Sequence, residues 1–343
     1  MPIAHRLPAM VLIVAAATAC GGSIRAQEPD PVDRRTPWTL SIDEVRVQAL
    51  QFSPGRSFWP AKWPGGARVG ILISFDVDNE SLAIIDDADP FIDSLYQFGT
   101  QRGLPRILNV LDRHDVPATF FVPAVTLQLT PAIAASINAS GRHEFAAHGW
   151  IHERASDLTP EEHEHYLRRA VDEITRLTGT RPVGYRAPYG IVTADTIRLL
   201  QELDFVYHSG FVADDVPYEL LSDGRPTGLV ELPPSLGLED SLIDPLNSFS
   251  AGIQSPGDTL ESFKSAFDVA YREGGMVLVL MHPHVTGTLS RISVLEGLIE
   301  YARSYDEVWF GTHRAAAEHF REVLADSDDT PDGGDDAARP NDN

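Results

Sequence analysis

The stretch Val69-Gly-Ile-Leu-Ile-Ser-Phe-Asp-Val-Asp78 decides the fold class. Val69 to Phe75 reads as a buried strand, and the run ends abruptly in carboxylates. Continuous apolar runs of this kind fit parallel strands covered on the outside by helices. Working outward, Ala118-Thr-Phe-Phe-Val-Pro123 repeats the pattern, and Glu144–Ala147, Val183–Tyr185, Phe205–Tyr207 and Leu229–Leu232 give shorter versions of it. Met276–Met281 and Glu307–Phe310 complete the set. Between them lie helical patterns with start signals. Thr159-Pro160-Glu161-Glu162 offers an N-cap, proline at the first helical position and an acid at N3, ahead of an amphipathic stretch closing near Gly179. Asp258 opens a second helix that stops at Gly274-Gly275, and Ser290–Ser304 and His313–Leu324 are further helices. Strands alternating with helices in this way favour a distorted (β/α) barrel over a doubly wound open sheet.

Composition narrows the function classes. With 27 basic and 50 acidic residues the formal charge is −23, which argues against a nucleic-acid binder and against charge-held attachment to an anionic leaflet. The single cysteine excludes an intrachain disulfide and a cysteine-built zinc cage. The ends of the chain read as appendages. His5-Arg6, the apolar run Leu7–Ala19 and the small residues before Cys20 form an export signal over 1–19, too short to span a bilayer. Cys20 stands where a bacterial lipoprotein carries its lipid; an ordinary secretory signal is the alternative. Residues 20–59 read as a tether and lead-in, 60–322 as one folded domain, and 326–343 as a disordered acidic tail.

In parallel α/β folds reactive groups gather at the carboxyl ends of the strands. Asp76 and Asp78 alternate past Val77 and so share one face; one can ligate a cation while the other accepts a proton. His148-Gly-Trp-Ile-His152 follows the Glu144–Ala147 strand. On a helical turn its i, i+4 spacing would bring both imidazoles to one side, completing a two-histidine, one-carboxylate metal site with Asp78. Arg186, in Tyr185-Arg-Ala-Pro-Tyr-Gly190, can hold the base aspartate, and the Tyr189 N–H can donate to a developing oxyanion. His282, ending the Met276–Met281 strand, is a candidate general acid. His284 is a candidate lining residue. His163 and His165 read as part of a solvated helix face, His313 as a residue in polar surroundings, and His208 is undecided.

Jointly, Ser74-Phe-Asp-Val-Asp78, His148-x-x-x-His152, Arg186-Ala-Pro-Tyr-Gly190 and Leu278-Val-Leu-Met-His282 resemble the polysaccharide deacetylase family, the NodB-homology or carbohydrate esterase family 4 fold. The resemblance implies a single distorted (β/α) barrel and metal-dependent hydrolysis of an N-acetyl group. Asp78, His148 and His152 would hold a divalent cation, with zinc the first expectation. Asp76 would be the base, Arg186 its orienter, Tyr189 the oxyanion donor and His282 the acid. Common members carry adjacent aspartates, whereas here Val77 separates them. With Ala213-Asp-Asp-Val-Pro-Tyr218 and His282-Pro-His-Val-Thr-Gly287, the chain looks like the peptidoglycan deacetylase-like and allantoinase-like branch. The implied partner is therefore an N-acetylated glycan or a small cyclic amide, at a cell envelope reached by export. A non-catalytic glycan-binding protein is the remaining class. Asp214 and Asp215 read equally as substrate contacts or as a solvated turn.

Overall fold

Ten strands form one sheet in a computed structural model that describes residues 39–59, 61–240 and 255–328. The chain divides into two units, Met1–Val45 and Arg46–Asn343, and the sheet belongs to the second. The strands are β1 (Phe52–Ser57), β2 (Val69–Asp76), β3 (Thr119–Val122), β4 (Glu144–Ala147), β5 (Gly184–Tyr185), β6 (Tyr207–His208), β7 (Tyr218–Ser222), β8 (Arg225–Glu231), β9 (Met276–Met281) and β10 (Val308–Gly311). Their order is β1-β7-β8-β6-β5-β4-β3-β2-β10, with β9 also pairing β2. Pairings from β8 through β6, β5, β4 and β3 to β2 are parallel, as are those of β9 and β10 with β2. The segment leaving β8 bridges back to β9 at Glu239 and Leu280, which curls the sheet into a distorted barrel ringed by helices.

The central strands β2, β3, β4 and β9 are buried on both faces, and period-2 alternation sorts their side chains. Ile71, Ile73, Phe75 and Val77 face the layer of outer helices, together with Phe120, Val122, Val277 and Val279. Leu72, Phe121, Ala146, Tyr207 and Leu278 point into the barrel. Ser74, Asp76 and Asp78 continue the inward register of Leu72, so the sequence itself delivers both carboxylates to the barrel mouth.

The helix signals hold with small shifts. Thr159 caps Pro160–Thr178 in a capping box with Glu162, and Gly179 closes it at φ 75°. The next long helix begins earlier than expected, at Pro256, because Ser255 and not Asp258 is its N-cap: Ser255 Oγ accepts from Asp258 N–H. The last helix runs His313–Asp328, three residues into the stretch read as tail. The lead-in holds a helix, Ile42–Ala49, and β1, an edge strand paired antiparallel with β7. β7 and β8 form a hairpin around Asp223-Gly224, both at positive φ (49° and 71°). Residues 1–19, Cys20 and most of the acidic tail lie outside the described residues. Among the described residues no helix is long and apolar enough to cross a membrane.

Candidate active site

Asp76 ends β2 and is buried, 4% exposed. Arg186, one residue past β5, donates from Nη1 to Asp76 Oδ1 at 2.6 Å. Its other donors reach Ser74 Oγ (3.1 Å), Ser209 Oγ (3.0 Å) and Ser209 O (3.2 Å), and its guanidinium lies 3.9 Å from the Phe121 ring centroid. The pair with Asp76 is thus a single hydrogen bond, and the serines and the ring fix the arginine's plane. Burial alone would raise the Asp76 pKa, but the charge of Arg186, that of His282 and the Arg186 hydrogen bond outweigh it and hold the carboxyl below its ordinary range. Asp76 is therefore an ionised base held on one oxygen.

Asp78, His148 and His152 bring one ligand atom each to within 4.8 Å of one another, and all three are buried. His148 Nε2 is 3.4 Å from Asp78 Oδ1, and His152 Nε2 is 3.7 Å from Asp78 Oδ2. His148 donates Nδ1–H to Arg186 O at 2.7 Å, which leaves the Nε2 lone pair facing the carboxylate. Asp78 Oδ1 is buried with no hydrogen-bond partner. Burial pushes the Asp78 pKa up and holds His152 well below its ordinary value, so that imidazole is neutral. A buried acceptor with no donor beside two imidazole lone pairs is what a divalent cation satisfies, and the residues fit one.

The two histidines do not meet on a helical turn. His148 follows β4, and Gly149 (φ 77°) and His152 (φ 65°) make a reverse turn that folds the second imidazole back onto the first, ring centroids 4.9 Å apart. The Gly149 breaker in the sequence was the signal against a helix.

His282 follows β9, and its environment rests on a residue that sequence reasoning missed. Asp240 Oδ1 accepts Nδ1–H of His282 at 2.7 Å, and Oδ2 accepts the His282 backbone N–H (2.8 Å) and the Thr286 hydroxyl (2.7 Å). Burial would lower the His282 pKa, but the Asp240 charge and hydrogen bond, with Asp78 and Asp76 beyond, push it up to about 10. The ring is a cation whose Nε2 points to Asp78 Oδ2 at 3.7 Å. Forty-two residues separate Asp240 from His282, and no spacing rule joins them.

Tyr189 sits at φ 55° in the turn after Arg186. That turn closes through Gly190 N–H to Ala187 O and Ile191 N–H to Pro188 O, neither of which uses the Tyr189 amide. The Tyr189 ring lies between Arg154, 3.7 Å from its centroid, and His152, 4.4 Å between centroids, and its hydroxyl donates to Asp86 at 2.8 Å. Asp76, Asp78, His148, His152, Arg186, Tyr189 and His282 all line one pocket of about 540 Å³, whose rim includes the exposed Val212 and Leu236.

Other sequence candidates fall elsewhere. Asp214 accepts from the Asp215 N–H in a turn, and neither lines this pocket. His284 is buried against Tyr96 and does not line it either. His163, read as part of a solvated face, is buried, since the helix turns it inward with Leu167 and Ala170. His313 is fully buried as well, its Nδ1 3.1 Å from Thr119 Oγ1 and its Nε2 3.5 Å from Arg186 Nη2. His208 pairs with the buried Glu231, Nδ1 to Oε2 2.6 Å.

The polysaccharide deacetylase family model matches residues 85–208, which include His148, His152, Arg186 and Tyr189. A solved structure assigned as a polysaccharide deacetylase from Mycobacterium smegmatis is 32% identical with a TM-score of 0.71, over 80% of this chain and 96% of that one. The chain belongs to the polysaccharide deacetylase family. Within it, the peptidoglycan deacetylase of Helicobacter pylori is 29% identical over 73% of this chain and 96% of its own length. The solved PuuE allantoinase is 26% identical with a TM-score of 0.70, over 79% of this chain and 95% of that one.

Proposed function

We propose that this polysaccharide deacetylase family member is a metal-dependent hydrolase that removes acetyl groups from N-acetylated glycan, a peptidoglycan or chitin-like polymer. The observation that carries the reading is convergence on one pocket: an unpartnered Asp78 with two histidines, an ionised Asp76 held by Arg186, and a protonated His282 held by Asp240. Asp78, His148 and His152 would hold a divalent cation, zinc by first expectation, which would supply Lewis-acid polarisation of the amide carbonyl and a more acidic water.

The chain's own groups carry the protons. Asp76 takes a proton from the attacking water, and Arg186 keeps Asp76 ionised and its second oxygen free for that role. As charge develops on the former carbonyl oxygen, the Tyr189 N–H donates to it. His282 delivers its Nε2 proton to the nitrogen as the C–N bond breaks. Acetate and an amine leave; Asp76 then releases to solvent the proton it gained, and His282 takes one up to replace the proton it gave.

The domain assignment and the location belong to the same reading: a catalytic domain over 60–322, an export signal over 1–19, and a lipid on Cys20 that anchors the protein at the cell envelope. A second reading, ring opening of a small cyclic amide, is favoured by the likeness to PuuE allantoinase. Zinc-loaded protein assayed for acetate release from N-acetylglucosamine oligomers and peptidoglycan, beside ring opening of hydantoin-type compounds, separates the two. Acetate release is the expected result, and ring opening without acetate release overturns the first reading.

A further inference from the structure

Glu153, directly after the second histidine of the site, is buried at 9% exposure. Its side chain folds back over the turn that precedes it. Oε1 and Oε2 accept the Trp150 N–H at 3.0 and 2.9 Å, and Oε2 also accepts the Ile151 N–H at 2.8 Å. On the turn's other side, the Gly149 and Trp150 carbonyls accept the N–H groups of Ala124 and Val125 at 3.2 and 2.9 Å. The turn is thus clamped through its carbonyls by one segment and through its amides by Glu153. Gly149 is part of the same arrangement, because a Cβ there would lie 3.0 Å from both Glu153 oxygens.

The two metal-site histidines depend on this clamp unequally. His148 is oriented by its own hydrogen bond, Nδ1–H to Arg186 O. His152 has a buried Nδ1 with no partner, and its backbone sits at φ 65°, a region that costs a non-glycine residue energy unless its surroundings impose it. Its ring is placed by the backbone and by the Tyr189 ring beside it.

The geometry points to Glu153 as a positioning residue for the cation: by gathering two backbone N–H groups it imposes the turn that carries His152 to Asp78 and His148. This rests on the metal site proposed above. Glu153 touches neither substrate nor cation, and it acts through hydrogen-bond reach rather than through charge.

The test is zinc titration into the metal-stripped full chain, in competition with a chromophoric chelator, without substrate. E153A leaves two N–H groups unpaired, and the dissociation constant rises roughly 10- to 100-fold, the range for loss of a group that orients a ligand. E153D keeps the charge but falls one methylene short, and shows the same rise even if E153A does not fold. E153Q removes the charge but keeps one oxygen where Oε2 accepts both amides, and stays within about threefold of wild type. At saturating zinc, E153D recovers near-wild-type turnover. Wild-type affinity in E153D, or a loss in E153Q as large as in E153D, overturns the inference. Failure of the wild-type chain to bind zinc overturns the metal site itself, which is a different result.

Discussion

Replacing Asp240 by asparagine isolates the role of His282. Asp240 collects three donors: His282 Nδ1–H on one oxygen, and the His282 backbone N–H and Thr286 hydroxyl on the other. Asparagine keeps one oxygen. Set where Oδ2 stands, it retains the backbone N–H and the hydroxyl and turns its NH2 toward His282 Nδ1, which must then accept. The imidazolium loses a charge-assisted hydrogen bond worth about 1.5–3 kcal/mol. At 1.36 kcal/mol per decade, turnover falls roughly 10- to 150-fold wherever the leaving group needs a proton. An aryl ester does not need one, since its phenolate leaves unaided. The assay compares acetate release from N-acetylglucosamine oligomers with hydrolysis of p-nitrophenyl acetate, both at saturating zinc. D240N should lose the first, keep the second, and bind zinc as wild type does. Equal losses on both substrates, or an amide rate within twofold of wild type, would refute the assignment of His282 as acid.

Other perturbations reach different parts of the molecule. Glu144, buried inside the barrel among Thr119, Tyr207 and the Arg314 N–H, has its pKa pushed up to about 7 by burial, from an ordinary 4.5. Between those values the folded chain holds a proton that the unfolded chain has lost, so stability falls by up to about 3 kcal/mol as pH rises through the window. Urea unfolding at pH 5 and pH 8 should show this slope in wild type and its loss in E144Q; equal slopes would contradict it. H148A removes a metal ligand and should lose bound zinc and acetate release together, read by elemental analysis and assay on one sample. T159A breaks the capping box of Pro160–Thr178 and should cost about 1 kcal/mol. That loss is read as a lower Tm with turnover unchanged.

Much of the site was legible because it obeys local rules. The inward register of Ser74, Asp76 and Asp78 follows from strand alternation, and Arg186 and His282 fall at strand ends, where a parallel barrel exposes its chemistry. What was missed is non-local or edge-bound. Asp240 meets His282 where the segment after β8 bridges to β9, and His313 looked polar in sequence because nothing local shows that β10 delivers it to the barrel interior. β1 contains Pro54 and Gly55, which argue against a strand and are tolerated because it is an edge. The β7–β8 hairpin was readable: Asp223-Gly224 is a strong two-residue turn signal, and the half-buried alternation of Tyr218 and Leu220 stands beside it. The spacing of His148 and His152 correctly paired them, but through a glycine-led turn rather than a helix.

In the proposed reaction two carboxylates two residues apart do different work, Asp78 holding the cation and Asp76 moving the proton. Acetate released per bound cation by D76N tests it most directly. D76N should bind one zinc per chain about as tightly as wild type, with turnover lower by at least about a hundredfold, the lower end of what a positioned base contributes. A D76N protein that turns over at the wild-type rate, or that fails to bind zinc, would contradict it.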